Sequence, residues 1–257
     1  MIIGLLSFAI DTSRPASTQA HTDVVLEVLR SRPDVDLLVA SGWTLWDEAE
    51  LRHVLVNNPN DRTVAIVETW AAPRGGLEHR GFAVRGKHVL VEGTPQVFAT
   101  SAQLNGHPEL ASQLLDEIES RRCISVDGRV VTWLMCGEIN LLANVQSEAN
   151  RCRFRFDQHP ELYARWNRIL EGTDIFVNPT HTVMGNQGKL AKRRGHLSAS
   201  GRIFCSASNV DLARQSRASS YSRLGQVPVQ YFWRDGLPIA TEEVEHTDAS
   251  ILRVWAV

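Results

Sequence analysis

Several things are scarce in this sequence, and each scarcity excludes a class of function. No apolar run approaches the roughly 20 residues that would span a bilayer, so no membrane-crossing helix is expected. The 257 residues include only four cysteines. Cys123, Cys136, Cys152 and Cys205 lie far apart, with no C-x-x-C pair and no zinc-ligand spacing, so reduced thiols in a cytoplasm are expected. An excess of either charge is missing too. Lys and Arg total 27 against 29 Asp and Glu, a net charge of −2, which gives no electrostatic reason for a nucleic-acid or membrane partner. The basic cluster Lys192-Arg193-Arg194 has no aromatic platform beside it and reads as a solvated helix face. The apolar opening Met1–Ile10 lacks a basic leader, and Asp11 follows too early for a signal peptide. It reads as a buried first strand. No internal repeat or low-complexity segment occurs.

What is present is a regular alternation of strand and helix signals up to about residue 210, the pattern of an α/β or α+β layered domain. The length suits one core, and a single domain over 1–257 is expected. Ala20, Val24, Val25, Val28 and Leu29 predict an amphipathic helix over 16–31. Residues 36–40 predict a buried strand and 47–56 a second helix. A strand over 63–69 and a hairpin of 81–84 with 88–91 around Arg85-Gly86 follow. Pro108 suits the first position of a helix over 108–119, and Asp127-Gly128 marks a tight hairpin between strands 123–126 and 129–136. Helices are expected near 139–150, 160–171 and 186–199, and strands at 174–178 and 203–208. The end reads as a surface loop over 211–227 followed by strands 229–233, 239–244 and 251–257.

The most informative stretch is Arg129–Glu138, a hydrophobic strand that ends in Cys136-Gly137 and a helix start. Such a strand end delivers a thiol into a crevice, where it can act as a nucleophile. A buried cysteine with no reactive role is the other reading, because Cys is among the most buried residue types. His181, at the end of the following strand, suits a Cys–His pair or a hydrogen-bonded loop position. Trp43 and Trp46, at the exit of strand 36–40, line a pocket or cover the second helix. Asp47, Glu48 and Glu50 read as the N-terminal acids of that helix.

The segment Gly128–Glu138 resembles the nucleophile strand of the nitrilase-like carbon-nitrogen hydrolases, written approximately G-x-hydrophobic-hydrophobic-I-C-x-E/D. Thr173–Pro179 is similar to that family's next strand, and Gly195–Asn209 to its following helix and strand without the acidic residue. The terminal hairpin and final strand are similar to the family's ending. This resemblance implies a four-layer αββα sandwich, commonly paired as a homodimer, that hydrolyses small amides, ureas or nitriles or transfers acyl groups without metal or organic cofactor. The family's chemistry uses Glu, Lys and Cys. Laid onto its strand motifs, Cys136 takes the nucleophile position, Gly42 that of the glutamate, and Thr100, or Ser101 with a shift, that of the lysine. Glu138 occupies a supporting acidic position. Two expectations follow: a thiol hydrolase or acyl transferase with Cys136 helped by Glu138 or His181, or an inactive relative that binds a small ligand or protein with Gly42, Trp43, Thr100 and Ser101 at the pocket.

Overall fold

The computed structural model describes residues 1–10, 19–71, 77–145, 151–212, 229–241, 243–247 and 249–257. Its elements run β1 (Ile2–Ile10), α1 (Gln19–Ser31), β2 (Leu37–Ala40), α2 (Glu48–Asn57), β3 (Val64–Ala71), β4 (Leu77–Arg85) and β5 (His88–Pro95). There follow α3 (Ser101–Leu104), α4 (Pro108–Arg121), β6 (Cys123–Val126), β7 (Arg129–Trp133), a 3-10 turn (Cys136–Leu141), β8 (Leu142–Asn144) and β9 (Cys152–Phe154). The chain continues through α5 (Pro160–Gly172), β10 (Ile175–Val177), α6 (Gln187–Leu197), β11 (Ile203–Ala207) and β12 (Val210–Asp211). It ends with β13 (Gln230–Arg234), β14 (Leu237–Pro238), β15 (Glu243–His246) and β16 (Ser250–Ala256).

These strands form two main sheets, ordered β15-β16-β1-β2-β3-β4-β5, with β12 against β1, and β14-β13-β11-β10-β7-β6. The strands β1, β2 and β3 pair in parallel, as do β7, β10 and β11. Parallel strands buried on both faces read as continuous apolar runs, and β2 (Leu37-Leu38-Val39-Ala40) and β10 (Ile175-Phe176-Val177) are buried at every position. One face of each sheet meets the other: Ile3, Leu5, Val39 and Ile66 pack against Val131, Trp133, Ile175 and Cys205. The outer face of the first sheet is covered by Val25 and Leu29 of α1 and Leu51 and Val54 of α2. Leu114 of α4, Trp166 of α5 and Leu190 of α6 cover Phe176 and Phe204 on the second. The layers are therefore α, β, β, α. Each such fully buried aliphatic or aromatic side chain contributes about 1.5–3 kcal/mol of transfer free energy. Among the described residues no helix is long and apolar enough to cross a membrane.

The sequence expectation differs from the structure at several places. The helix expected near 139–150 is instead the short 3-10 turn followed by β8, paired antiparallel with β9; residues 146–150 lie outside the described residues. Ile139, Leu141 and Leu142 are all buried, and the chain from Leu142 is extended, with its backbone paired to β9 rather than to itself. Of the strand expected at 239–244, only 243–244 are strand, at the start of β15; 239–241 are not strand, and 242 lies outside the described residues. Residues 16–18 of the first expected helix and 213–227 of the expected loop also fall outside the described residues.

Candidate active site

Strand β7 leads into Cys136 through Leu134 and Met135. The Cys136 amide donates to Pro179 O at 2.8 Å, and the Asn178 side-chain amide donates to Leu134 O at 2.8 Å and Cys136 O at 3.1 Å. These bonds hold Cys136 at φ +36°, in the left-handed region. A non-glycine residue there is strained and persists only where its surroundings fix it, a frequent property of functional turns. Gly137 follows beneath the Ala99 carbonyl, where a Cβ would stand 1.7 Å from the oxygen. Only glycine fits. The result is a sharp turn that leaves the Cys136 thiol half-buried rather than sealed in the core.

His181 stands at the end of the neighbouring strand β10. Its Nε2 bonds to Glu68 Oε1 at 2.5 Å, and its ring also contacts the Cys136 sulfur. With Nε2 occupied by Glu68, Nδ1 is the nitrogen left for the thiol. Burial works against charging this imidazole, but the Glu68 carboxylate and the Cys136 sulfur outweigh it and raise its pKa to about 10. His181 is therefore a cation at neutral pH. Glu68 comes from β3, in the other sheet, so the sequence Cys136–His181–Glu68 crosses from one sheet to the other.

The ring of His181 lies where position 42 would otherwise project a side chain. A Cβ on Gly42 would stand 2.5 Å from His181 Cδ2 and 3.1 Å from the His181 amide nitrogen. The space left by the absent side chain at Gly42 is thus filled by an imidazole. Asn209 fastens this arrangement: its amide nitrogen donates to the carbonyls of Gly42 and His181, and its oxygen accepts from Phe8 N and Ser41 Oγ.

Trp43, at φ +60°, turns its indole onto the same ring. It stacks between His181, at 4.3 Å and 8°, and Trp70, at 4.6 Å and 6°. An aromatic face against an imidazolium is a cation–π contact. The Trp43 indole N–H also donates to His79 Nδ1 at 3.0 Å. His79, on β4, lies with its ring 4.5 Å from that of His181. Burial and the charge on His181 hold its pKa below the ordinary value.

Glu138 lies elsewhere. Its side chain is fully buried against the equally buried Arg122, with Nη1 to Oε2 at 2.5 Å, and accepts from the amides of Val97 and Met135 at 2.7 Å each. Burial raises its carboxyl above the ordinary range, opposed by Arg122 and the two amides. Glu138 therefore ties the chain just before the cysteine, at Met135, to the separate segment at Val97. Thr100 and Ser101 follow the Ala99 carbonyl that touches Gly137, as the cap and first residue of α3, and both are exposed. The Thr100 hydroxyl caps α3 through Gln103 N. Asp47 caps α2, accepting from Ala49 N and Glu50 N. Sequence reasoning did not find Glu68, His79 or Trp70. Glu68, a charged residue inside the apolar run of β3, was the one visible signal, since a charge buried there must have a partner.

No family model matches the chain, and no curated protein is similar to it in sequence. Solved structures are similar in shape. The NitN amidase of Nesterenkonia sp. AN1 superposes with a TM-score of 0.58 at 13% identity, over 100% of this chain and 92% of that one. The fold is that of the nitrilase-like carbon-nitrogen hydrolases. A CN-hydrolase superfamily protein from Xanthomonas campestris gives 0.57 at 9% identity over 100% and 90% of the two chains. A carbon-nitrogen hydrolase from Helicobacter pylori G27 gives 0.54 at 12% over 99% and 88%. Around the cysteine this chain gathers His181, which contacts it, and Glu68, which bonds His181.

Glu68, His79 and His181 also have the donor types of a metal site, with ligand atoms within 4.8 Å of one another. Their hydrogens argue against that use. An indole N–H only donates, so the Trp43 bond leaves the proton of neutral His79 on Nε2. The nitrogen of His181 nearest Glu68 is engaged at 2.5 Å. A metal ion would have to displace both arrangements.

Proposed function

We propose that the protein is a thiol hydrolase or acyl transferase for small amides or nitriles, in which Cys136 is the nucleophile, His181 the proton carrier and Glu68 the group that orients and charges His181. The observation that carries this reading is the single imidazole in contact with both the Cys136 sulfur and the Glu68 carboxylate. A nucleophile, a base within reach and a third group fixing the base form the pattern of covalent catalysis. The cationic imidazole stabilises a thiolate, which attacks the substrate carbon. On an amide, His181 gives its proton to the departing nitrogen, and the acyl group remains as a thioester. Water or another acceptor then attacks that carbon while His181 takes the proton back, regenerating the thiol pair. Glu68 stays ionised throughout. The sharing of fold with the Nesterenkonia amidase supports the substrate class, since a cysteine mutant of that amidase is seen in complex with butyramide, and another mutant carries the acetamide moiety of fluoroacetamide on its active-site cysteine. By the same likeness a homodimer is part of the proposal.

The test is the pH dependence of iodoacetamide alkylation, followed cysteine by cysteine in peptide mass spectra. Cys136 is expected to react fast well below the ordinary thiol pKa of about 8.5. Cys205, whose thiol burial raises strongly, and Cys152, raised more modestly, serve as slow internal references. A Cys136 rate that rises only near that pKa would refute the reading.

A further inference from the structure

The reading above gives the site a nucleophile and a base but no donor for the oxygen of the substrate, because position 100 carries a threonine that caps α3. Acyl transfer through a thioester builds negative charge on that oxygen, and a site without a donor for it forfeits about 10²–10³ in rate. Of the two rings in contact with His181, that of His79 has an N–H without an acceptor among the described residues. His79 receives the Trp43 indole N–H on Nδ1 at 3.0 Å. Indole is a donor only, so neutral His79 carries its proton on Nε2. No protein atom among the described residues takes that proton. His79 is half-buried, and its ring tilts 57° against His181 at 4.5 Å. The cation on His181 and burial both keep His79 neutral, so its Nε2–H donates a hydrogen bond without giving the proton away.

We propose that His79, fixed in its tautomer by Trp43, donates the hydrogen bond that stabilises the oxyanion formed when Cys136 attacks an acyl carbon. The proposal rests on the nucleophile reading of Cys136. In the step, the sulfur–carbon bond forms, the carbonyl π pair moves onto oxygen, and that oxygen accepts from His79 Nε2–H with no proton transferred. Collapse returns the pair to the carbonyl and breaks the bond to the leaving group, which takes its proton from His181 when it needs one. A neutral imidazole with one nitrogen turned to a fixed partner replaces the ammonium of a lysine, and its strength comes from orientation rather than charge.

Two reagents separate this role from the others. Acetylation of Cys136 by p-nitrophenyl acetate passes through an oxyanion, whereas alkylation by iodoacetamide is a displacement at a saturated carbon and does not. The variants are His79→Phe, which keeps a ring without a donor, and His79→Gln, which restores an N–H. Stopped-flow release of nitrophenolate and peptide mass spectrometry give the two rates on each full-length protein. His79→Phe is expected to slow acetylation about 10²-fold, with alkylation within about threefold of the parent, and His79→Gln to recover part of the loss. Acetylation at the parent rate in His79→Phe overturns the proposal. So does an equal fall in both rates, which would make His79 a packing partner of His181. A burst that survives in Cys136→Ala overturns the nucleophile reading and the His79 role with it. A burst abolished by Cys136→Ala yet unaffected by His79→Phe overturns the His79 role alone.

Discussion

A side chain at position 42 and the ring of His181 exclude each other: any Cβ on Gly42 would lie 2.5 Å from His181 Cδ2. Gly42→Ala is therefore expected to push the imidazole off Glu68 and away from Cys136. Cys136 alkylation near neutral pH should slow about tenfold or more. Overpacking of this kind costs about 1–3 kcal/mol, which urea unfolding will read. A Gly42→Ala protein with parent reactivity would mean that the ring has other room to occupy.

Glu68 holds the charge on His181 through one oxygen, while its second, Oε2, has no protein partner among the described residues. Glu68→Gln keeps the shape and removes the charge. The His181 proton should then leave at lower pH, and Cys136 alkylation at neutral pH should fall roughly 10²-fold, the usual scale for a lost acid–base function. A histidine NMR titration checks the first effect and the alkylation profile the second.

The Glu138–Arg122 pair is expected to act on stability first. Removing one member of a fully buried pair costs about 3–5 kcal/mol, because the other is left uncompensated. Glu138→Gln should lower the urea midpoint accordingly. The intact fraction should still alkylate at Cys136, since the carboxylate holds Val97 N and Met135 N rather than the thiol.

Two histidines set the pH range of stability in opposite directions. His21, stacked on Phe8, is lowered by burial from 6.5 to about 4. The unfolded chain takes up this proton first as pH falls, so stability drops between these values, by about 3 kcal/mol at 1.36 kcal/mol per pKa unit. His181 is raised from 6.5 to about 10, so its contribution is complete below 6.5 and fades as pH climbs through 10. Urea midpoints against pH should fall on both sides. His21→Phe should flatten the acid limb alone.

Zinc provides a further check. With His79 Nδ1 facing an indole N–H and His181 bonded to Glu68, one equivalent of Zn²⁺ should leave the alkylation rate of Cys136 unchanged. Stoichiometric protection that His79→Phe removes would show that the three side chains exchange their hydrogens for a metal.

Most of the fold was legible because its signals are local. The apolar runs of β2 and β10, Pro108 at the start of α4 and the Asp127-Gly128 hairpin each declare an element within a few residues. The turn after Cys136 was not legible, because Ile139, Leu141 and Leu142 are buried by partners distant in sequence. The site divides in the same way. Cys136 was marked by its strand and its glycine, and His181 by its place at the next strand end. The partnership of Gly42 with His181 could not be read, since the two lie far apart in sequence until the ends of β2 and β10 bring them together. Glu68, a charge inside the apolar run of β3, announces that it has a partner but not which one, and the local sequence around His79 on β4 announces nothing.

Cys136 and His181 follow strands of one sheet, Glu68 and His79 lie on strands of the other, and the apolar seam between the sheets joins those strands through Met135, Val177, Ile66 and Ala83. The distance from acid to base is thus a measure of how the two halves of the sandwich are seated. A slip of about one ångström along the seam would leave every strand intact while parting Glu68 from His181. Reactivity at Cys136 should therefore fail before the sheets do on heating or compression, and the thiol becomes a gauge of the sandwich's alignment.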